Sequence, residues 1–373
     1  MRELTRIKLR GFKSIKNLDL RLRNINVLIG PNGAGKSNFI DFFRMLSELV
    51  GGHLQLFVGR SGGANAMLHY GTKVSNSIYA GLYFDRNGYE IQLMPSEDDG
   101  LVFGEEILYF KTSQTSNYRE NIGRGHKEIL ASKKHEESQY GVKYVISALQ
   151  SCKVYHFHDT SSTARIKQTG DLHENDQLSP DAGNLAAFLY MLQENHSSNY
   201  ELIRCAVRQI FPRFKDFALR PSPLNPDKIR LEWQENGSHY RFGPHQLSDG
   251  TLRFMGLATL LLQPDVPSAT LIDEPELGLH PSSLTLLAGL VHSASNRTQL
   301  ILTTQSASFL NEFKPEDIIT VEHRDSATLS VNDFRNGLGK SVFKRHDYES
   351  LRKWLGMYSL GELWEMNVLG GQP

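Results

Sequence analysis

The sequence predicts an α/β fold built on a mostly parallel sheet, with a phosphate-binding loop at one strand-to-helix junction. Three observations carry that expectation. Residues 248 to 322 alternate helical and strand patterns, as repeated βα units closing a parallel sheet do. "INVLIG" is a short apolar run of the kind buried on both sheet faces. It runs into "GPNGAGKS", Gly30 to Ser37, which fits G-x-x-x-x-G-K-[ST] at every fixed position, and the helical pattern "SNFIDFFRMLSEL" follows at once. The fold is therefore expected to be of the P-loop nucleoside-triphosphatase type.

The elements read as follows from the N-terminus. "LTRIKLR" alternates mostly polar with mostly apolar residues, the period of a half-buried strand, and "SIKNLDLRL" repeats it after Gly11. The pair is basic: eight Lys or Arg against two acids from Arg2 to Arg23. It reads as a solvated sheet face or as a surface for a nucleic-acid backbone. "NSIYAGLYFDRNGYEIQLM" reads as a hairpin turning at Asn87-Gly88. Residues 111–141 are polar, charged and aperiodic, and read as an insertion or a mobile loop. "KVYHFHD" reads as a strand with His156 and His158 on one face, either hydrogen-bonded or a metal pair. Residues 181–212 read as a helix capped by Asp181, and "KIRLEWQENGSHYRF" as a hairpin turning at Asn236-Gly237. The alternation then runs helix 248–262, strand 269–273, helix 281–294, strand 299–304 and strand 317–322.

Composition narrows the class. The chain has 373 residues, 39% hydrophobic and 22% charged, enough for a sizeable core. Lys plus Arg and Asp plus Glu number 41 each, so net charge argues neither for nucleic acid nor for a membrane surface. Cys152 and Cys205 stand apart without metal spacing and read as reduced thiols. The longest apolar stretch, "FMGLATLLL", is far short of the ~20 residues that span a bilayer, and no signal-peptide run opens the chain. A cytoplasmic protein without a membrane partner is expected.

The phosphate loop supplies the first chemistry. Its glycines let backbone N–H groups turn toward a phosphate, and the following helix points its positive end at the same anion. Asn32, Gly33, Gly35, Lys36, Ser37 and Asn38 are the candidate nucleotide-binding residues. Lys36 is expected to reach the β- and γ-phosphates and Ser37 to coordinate Mg²⁺. "ATLIDEPELGLHP" then gives an apolar strand ending in Asp273-Glu274, acids at the end of a strand where ligands of parallel sheets lie. Asp273 is expected to hold Mg²⁺, and Glu274 to polarise the attacking water. In "LSDGTLRF", Ser248, Asp249 and Gly250 open an apolar helix and offer a hydroxyl, free N–H groups and a positive dipole end.

The order of these motifs resembles the ABC-type ATPase heads of the SMC, RecF and OLD branch. "GPNGAGKSN" is similar to that branch's Walker A, "LSDGTLR" to its signature, and "LIDEPELGLHP" to its Walker B and D-loop. "LSDGTLRFMGLATLLLQP", "DEPELGLHP" and "SLGELWEMNVLGGQP" look like a bacterial group of RecF-like predicted ATPases. The resemblance implies one head domain over 1–373, with a β-rich nucleotide-binding lobe and a helical lobe. Its parts would be 1–160, 161–245 and 246–373. It further implies that two subunits sandwich two nucleotides, with Ser248 and Gly250 acting in trans on ATP held by the partner subunit's Lys36. The expected cofactors are ATP and Mg²⁺. The expected assembly is a homodimer or higher even-numbered homo-oligomer. A nuclease or toxin is the expected protein partner and DNA a further ligand, in repair or anti-phage defence.

Two departures from the family pattern stand out. Gln305 occupies the place of the usual switch histidine. Its amide donates a hydrogen bond but carries no charge and shuttles no proton, so slow hydrolysis is expected, with Glu274 and Gln305 as the catalytic pair. The strand entering the helical lobe ends in His158-Asp159 instead of the usual glutamine, which makes both candidates for a place beside the nucleotide.

Overall fold

Residues 3–111, 117–134, 140–324 and 339–370 are described by a computed structural model. The chain opens with the antiparallel pair β1 (Arg6–Phe12) and β2 (Ile15–Arg21), Lys8 opposite Asp19, and then β3 (Ile25–Ile29). A meander follows: β4 (Ile78–Phe84), β5 (Asn87–Pro95), β6 (Leu101–Lys111) and β7 (Asn117–Gly123). These strands form an antiparallel sheet of order β2-β1-β4-β5-β6-β7. The predicted turn moves by two residues. Phe84 faces Asn87, so Asp85 and Arg86 make the bend, with Asp85 at φ 47°. Asp tolerates that left-handed conformation, and Gly88 instead lies inside β5 opposite Tyr83.

The predicted insertion 111–141 is partly built into this sheet, through β7 and the short helix Ala131–Lys134; residues 112–116 and 135–139 lie outside the described residues. Glu106, fully buried on β6, ties the segment down. Its carboxylate accepts from Tyr89 Oη, His126 Nε2 and the backbone N–H groups of Leu130 and Ala131.

After β8 (Cys152–Tyr155) come six short strands, β9 (Gly170–Asp171), β10 (Phe214–Phe217), β11 (Pro221–Ser222), β12 (Asn225–Ile229), β13 (Trp233–Glu235) and β14 (Arg241–Phe242). They form two three-stranded sheets, and the predicted hairpin at Asn236-Gly237 joins β13 to β14. The predicted helix 181–212 is two helices, Leu185–Asn195 and Ser197–Ile210, broken at His196 where the polar run "NHSSN" interrupts the apolar pattern. Asn184, not Asp181, precedes the first; Asp181 bonds Gly183 N in the turn before it.

β15 (Ala269–Asp273), β16 (Gln299–Thr304), β17 (Ile318–Arg324) and β18 (Lys340–Arg345) complete the second large sheet, of order β18-β17-β3-β16-β15-β8. All its strands are parallel except β18. Both faces are covered, as a parallel sheet requires. Ile25, Val27 and Ile29 of β3 join one core with the helices of the second half, while Leu28 joins the other with the helix Lys36–Val50. Leu300 and Leu302 against Ile301 repeat that division on β16. The C-terminal ends of β3, β15 and β16 therefore meet in one place. No helix among the described residues is long and apolar enough to cross a membrane.

Candidate functional site

The phosphate loop leaves β3 and enters the helix Lys36–Val50 through Gly35, whose φ is 116°. A Cβ on Gly35 would stand 2.1 Å from Ser341 Oγ, so the β17–β18 hairpin leaves room there for glycine alone. Around the loop lies a cavity of about 310 Å³, lined by Pro31, Asn32, Gly33, Gly35, Lys36, Ser37, Asn38, His158, Asp273 and Glu274. A larger cavity of about 640 Å³ lies among Ser147, Lys153, Asp176 and Asp265, away from the phosphate loop. The chemistry belongs to the smaller one.

Lys36 is buried, and its Nζ donates to the carbonyls of Gly30 and Pro31. Burial lowers its pKa, against the pull of Glu274, Asp273 and Glu276, which favour the charged form. The Ser37 hydroxyl is exposed at the helix start. Asn38 lines the cavity but donates its amide to Ser14 Oγ at 2.6 Å, so it anchors the helix to the β1–β2 turn.

The strand ends β15 and β16 are stitched residue by residue. Asp273 and Thr303 are register partners, and Thr303 Oγ1 donates to Asp273 Oδ1 at 2.5 Å. Glu274 is strained at φ 41°, and its backbone N–H donates to the carbonyl and to the hydroxyl oxygen of Thr303, both at 3.1 Å. Its carboxylate accepts from Gln305 Nε2. Glu276 Oε1 accepts from Thr304 Oγ1 at 2.5 Å and from Gln305 N at 3.1 Å. The three acids of "DEPE" thus meet the three residues of "TTQ", Glu274 and Glu276 each reaching two of them. Burial raises the pKa of Glu276.

His158 lies past the end of β8, not on it, and its Nε2 donates to the Asp273 carbonyl at 2.8 Å. His156 is exposed and bonds the Pro180 carbonyl, so the two histidines do not pair. Asp159 is exposed, accepts from Ser161 N in its own turn and is not among the cavity residues.

Ser248 caps the helix Asp249–Leu262, accepting from Thr251 N. A Cβ on Gly250 would come within 2.3 Å of the Gly278 carbonyl, which packs the signature against the loop after Glu276. Arg253, one turn on, fastens the same contact. Its Nη1 donates to the Leu277 carbonyl at 3.0 Å and its Nη2 to the His158 carbonyl at 2.8 Å. Arg253 and Glu276 escaped the sequence reading, although both stand in the quoted motifs.

Among the described residues no group of three or more His, Cys, Asp or Glu side chains is placed to hold a metal. Ser37 and the second oxygen of Asp273 fit Mg²⁺, which takes few protein ligands and completes its shell with phosphate oxygens and water.

Strand-loop-helix phosphate site, acid-tipped neighbouring strand and antiparallel second sheet together define a P-loop ATPase head. Residues 153–311 match the AAA domain family described as "putative AbiEii toxin, Type IV TA system", and residues 3–178 match the family "AAA ATPase domain". No curated protein matches the chain. Among solved structures, the chain is similar to an Smc head bound to the C-winged helix domain of ScpA, at 15% identity and TM-score 0.53, covering 94% of this chain and 99% of that one. It is also similar to the Smc head of Pyrococcus furiosus with an extended coiled coil, bound to the C-terminal domain of ScpA, at 16% identity and TM-score 0.50, covering 95% and 99%. These two are likenesses of fold. The chain has the fold of an SMC head, and its matches to two ATPase-domain families support ATP binding and hydrolysis as its general activity.

Proposed function

We propose that this chain is a slow, Mg²⁺-dependent ATPase in which ATP binding draws two copies together. The dimer would then act as a switch on a protein partner. The observation that carries this reading is that Ser248 and Gly250 stand outside the cavity formed by their own phosphate loop. A helix start with an exposed serine is suited to an anion. The anion it suits is the γ-phosphate held by a second copy.

In that dimer the loop amides and the helix start hold the phosphates, and Lys36 turns from the Gly30 and Pro31 carbonyls toward them. Glu274 takes the proton from the water that attacks the γ-phosphorus, giving ADP and phosphate. Gln305 donates its amide to the transferring group. Ser37 and Asp273 would hold Mg²⁺, which would supply positive charge against the charge that develops on the phosphates. His158 sits beside Asp273 in place of a glutamine and holds the backbone that carries the metal ligand.

Glu274→Gln tests the reading. It should bind ATP, stall hydrolysis and accumulate as a dimer, seen by light scattering as a doubled mass with ATP and Mg²⁺. Ser248→Arg added to it should abolish the doubling. A mass that does not respond to ATP would overturn the switch.

A second reading is a DNA-binding clamp, or a regulator of a separate nuclease or toxin, with little hydrolysis of its own. It is favoured by Lys8 and Arg10, which lie on the outer sheet face against Tyr83 and Tyr79. A role in DNA repair or anti-phage defence fits either reading.

A further inference from the structure

We propose that Glu276 is the residue that positions the switch segment, through one carboxylate oxygen that fixes the backbone on both sides of Gln305. The inference rests on the ATPase reading for its effect on turnover, but not for its geometry. Glu276 touches none of the residues that line the phosphate cavity by hydrogen bond. Its Oε1 instead accepts from Gln305 N at 3.1 Å and from Thr304 Oγ1 at 2.5 Å. Thr304 Oγ1 in turn accepts from Ser306 N at 3.0 Å, and Ser306 caps the helix Ala307–Leu310. The N–H groups of residues 305 and 306 are therefore both set by Glu276, one directly and one through a fully buried threonine. Only the side-chain torsions of Gln305 stay free. They are what the amide needs to leave Glu274 for a phosphate.

Glu276 is a costly residue for a merely structural place. Among the described residues its buried Oε2 has no hydrogen-bond partner, and an unpaired buried carboxylate oxygen carries a desolvation penalty. Pro275, also buried, fixes the chain between Glu274 and Glu276. The base and the positioning residue are thus held at one spacing, and both act on the same glutamine.

The test needs an acceptor-keeping and an acceptor-removing substitution. Glu276→Gln retains a carbonyl oxygen for Thr304 and Gln305 and loses the charge; Glu276→Ala loses both. Glu276→Ala should lower kcat roughly ten- to a hundredfold, because a small misplacement of a catalytic group is felt that strongly. Its ATP affinity should change by less than about twofold, since the phosphate loop is untouched. Amide hydrogen exchange at Gln305 without nucleotide should quicken by about tenfold or more in Glu276→Ala, because the bond that closes that N–H is gone. Glu276→Gln should restore kcat and protection to within about threefold of wild type, because the acceptor is kept. Thr304→Val, which keeps the shape and removes the hydroxyl, should shift both readouts in the direction of Glu276→Ala, whether or not Glu276→Ala folds.

Equal loss in Glu276→Gln and Glu276→Ala would assign the role to charge and overturn positioning. Wild-type exchange at Gln305 in Glu276→Ala and Thr304→Val would overturn it as well. A wild-type protein that releases no phosphate would count against the ATPase reading, and the exchange at Gln305 would still decide the position of the switch.

Discussion

Gln305 donates its side-chain amide to the carboxylate of Glu274, so the residue in the switch position holds the candidate base. A neutral amide holds that carboxylate without neutralising it. For Gln305 to serve a phosphate, this bond has to be exchanged for a new one. Gln305→Ala removes a donor contributing ~0.5–1.5 kcal/mol net, which is roughly two- to twelvefold in rate. Gln305→His keeps a donor and should preserve or raise turnover, and Glu274→Gln should be far slower than either. Steady-state phosphate release at saturating ATP and Mg²⁺ compares them. Wild-type turnover in Gln305→Ala would make Gln305 a strand-end residue only.

Arg253 joins the signature helix to the two segments that flank Asp273, through the Leu277 and His158 carbonyls. Two carbonyls on different segments suit a planar guanidinium fork and not a single ammonium. Arg253→Lys should therefore lose one of the two bonds, a cost of about 1.5–3 kcal/mol for a charge-assisted bond. Urea unfolding measures that loss, and ATP-dependent mass measures whether the signature still presents itself. A substitution neutral in both would show that the fork is not needed.

What was legible in the sequence was whatever is fixed by local spacing. "GPNGAGKS" and the apolar strand before Asp273 need only neighbouring residues to be read, and both lie where expected. Pairings across the sheet are different. Asp273 with Thr303 and Glu276 with Thr304 join segments 30 and 28 residues apart. Only the parallel register of β15 on β16, with Asp273 opposite Thr303, brings "DEPE" to "TTQ". The turn at Asp85 was hidden because Asn-Gly two residues later is the stronger local signal. The break at His196 was hidden because apolar residues resume at once in Tyr200 and Ile203, both buried. His158 was misplaced because β8 stops at Tyr155 while the alternation in the sequence continues.

His346 provides a pH-dependent stability. It is buried at the end of β18, with Nε2 at 3.1 Å from Thr320 Oγ1. Burial first, and then Lys344, push its pKa down to about 4, with Asp347 opposing. In the unfolded chain the imidazole titrates near about 6.5. The unfolded state therefore takes up the proton first on acidification. The stability tied to a neutral His346 is fully present above about pH 6.5 and is lost as pH falls toward 4, by at most about 3 kcal/mol. His346→Gln should flatten the fall of urea-unfolding free energy over that window relative to wild type. Parallel curves for the two proteins would show that His346 protonates without unfolding cost.

The basic β1–β2 pair divides into cations held by carboxylates and cations set against aromatic rings. Arg6 is held by Asp19 through two bonds, Nε to Oδ1 at 2.6 Å and Nη2 to Oδ2 at 2.5 Å, and Lys13 is held by Asp41 at 2.7 Å. Lys8 stands 5.6 Å from the ring centre of Tyr83, and Arg10 5.4 Å from that of Tyr79. An aromatic face steadies a cation without neutralising it. Lys8 and Arg10 are therefore the residues to test for a nucleic-acid backbone, with Arg6 as the internal control. In fluorescence anisotropy with a labelled duplex, Lys8→Ala with Arg10→Ala should weaken binding and reduce the slope of log K against log salt by about 0.9 for each phosphate no longer neutralised. Arg6→Ala should do less to the slope, because its charge is already balanced by Asp19. A comparable slope change in Arg6→Ala would assign the binding to the whole strand. If wild-type protein leaves the duplex unbound at low salt, with ATP and without it, Lys8 and Arg10 are a solvated strand face, and the DNA reading falls.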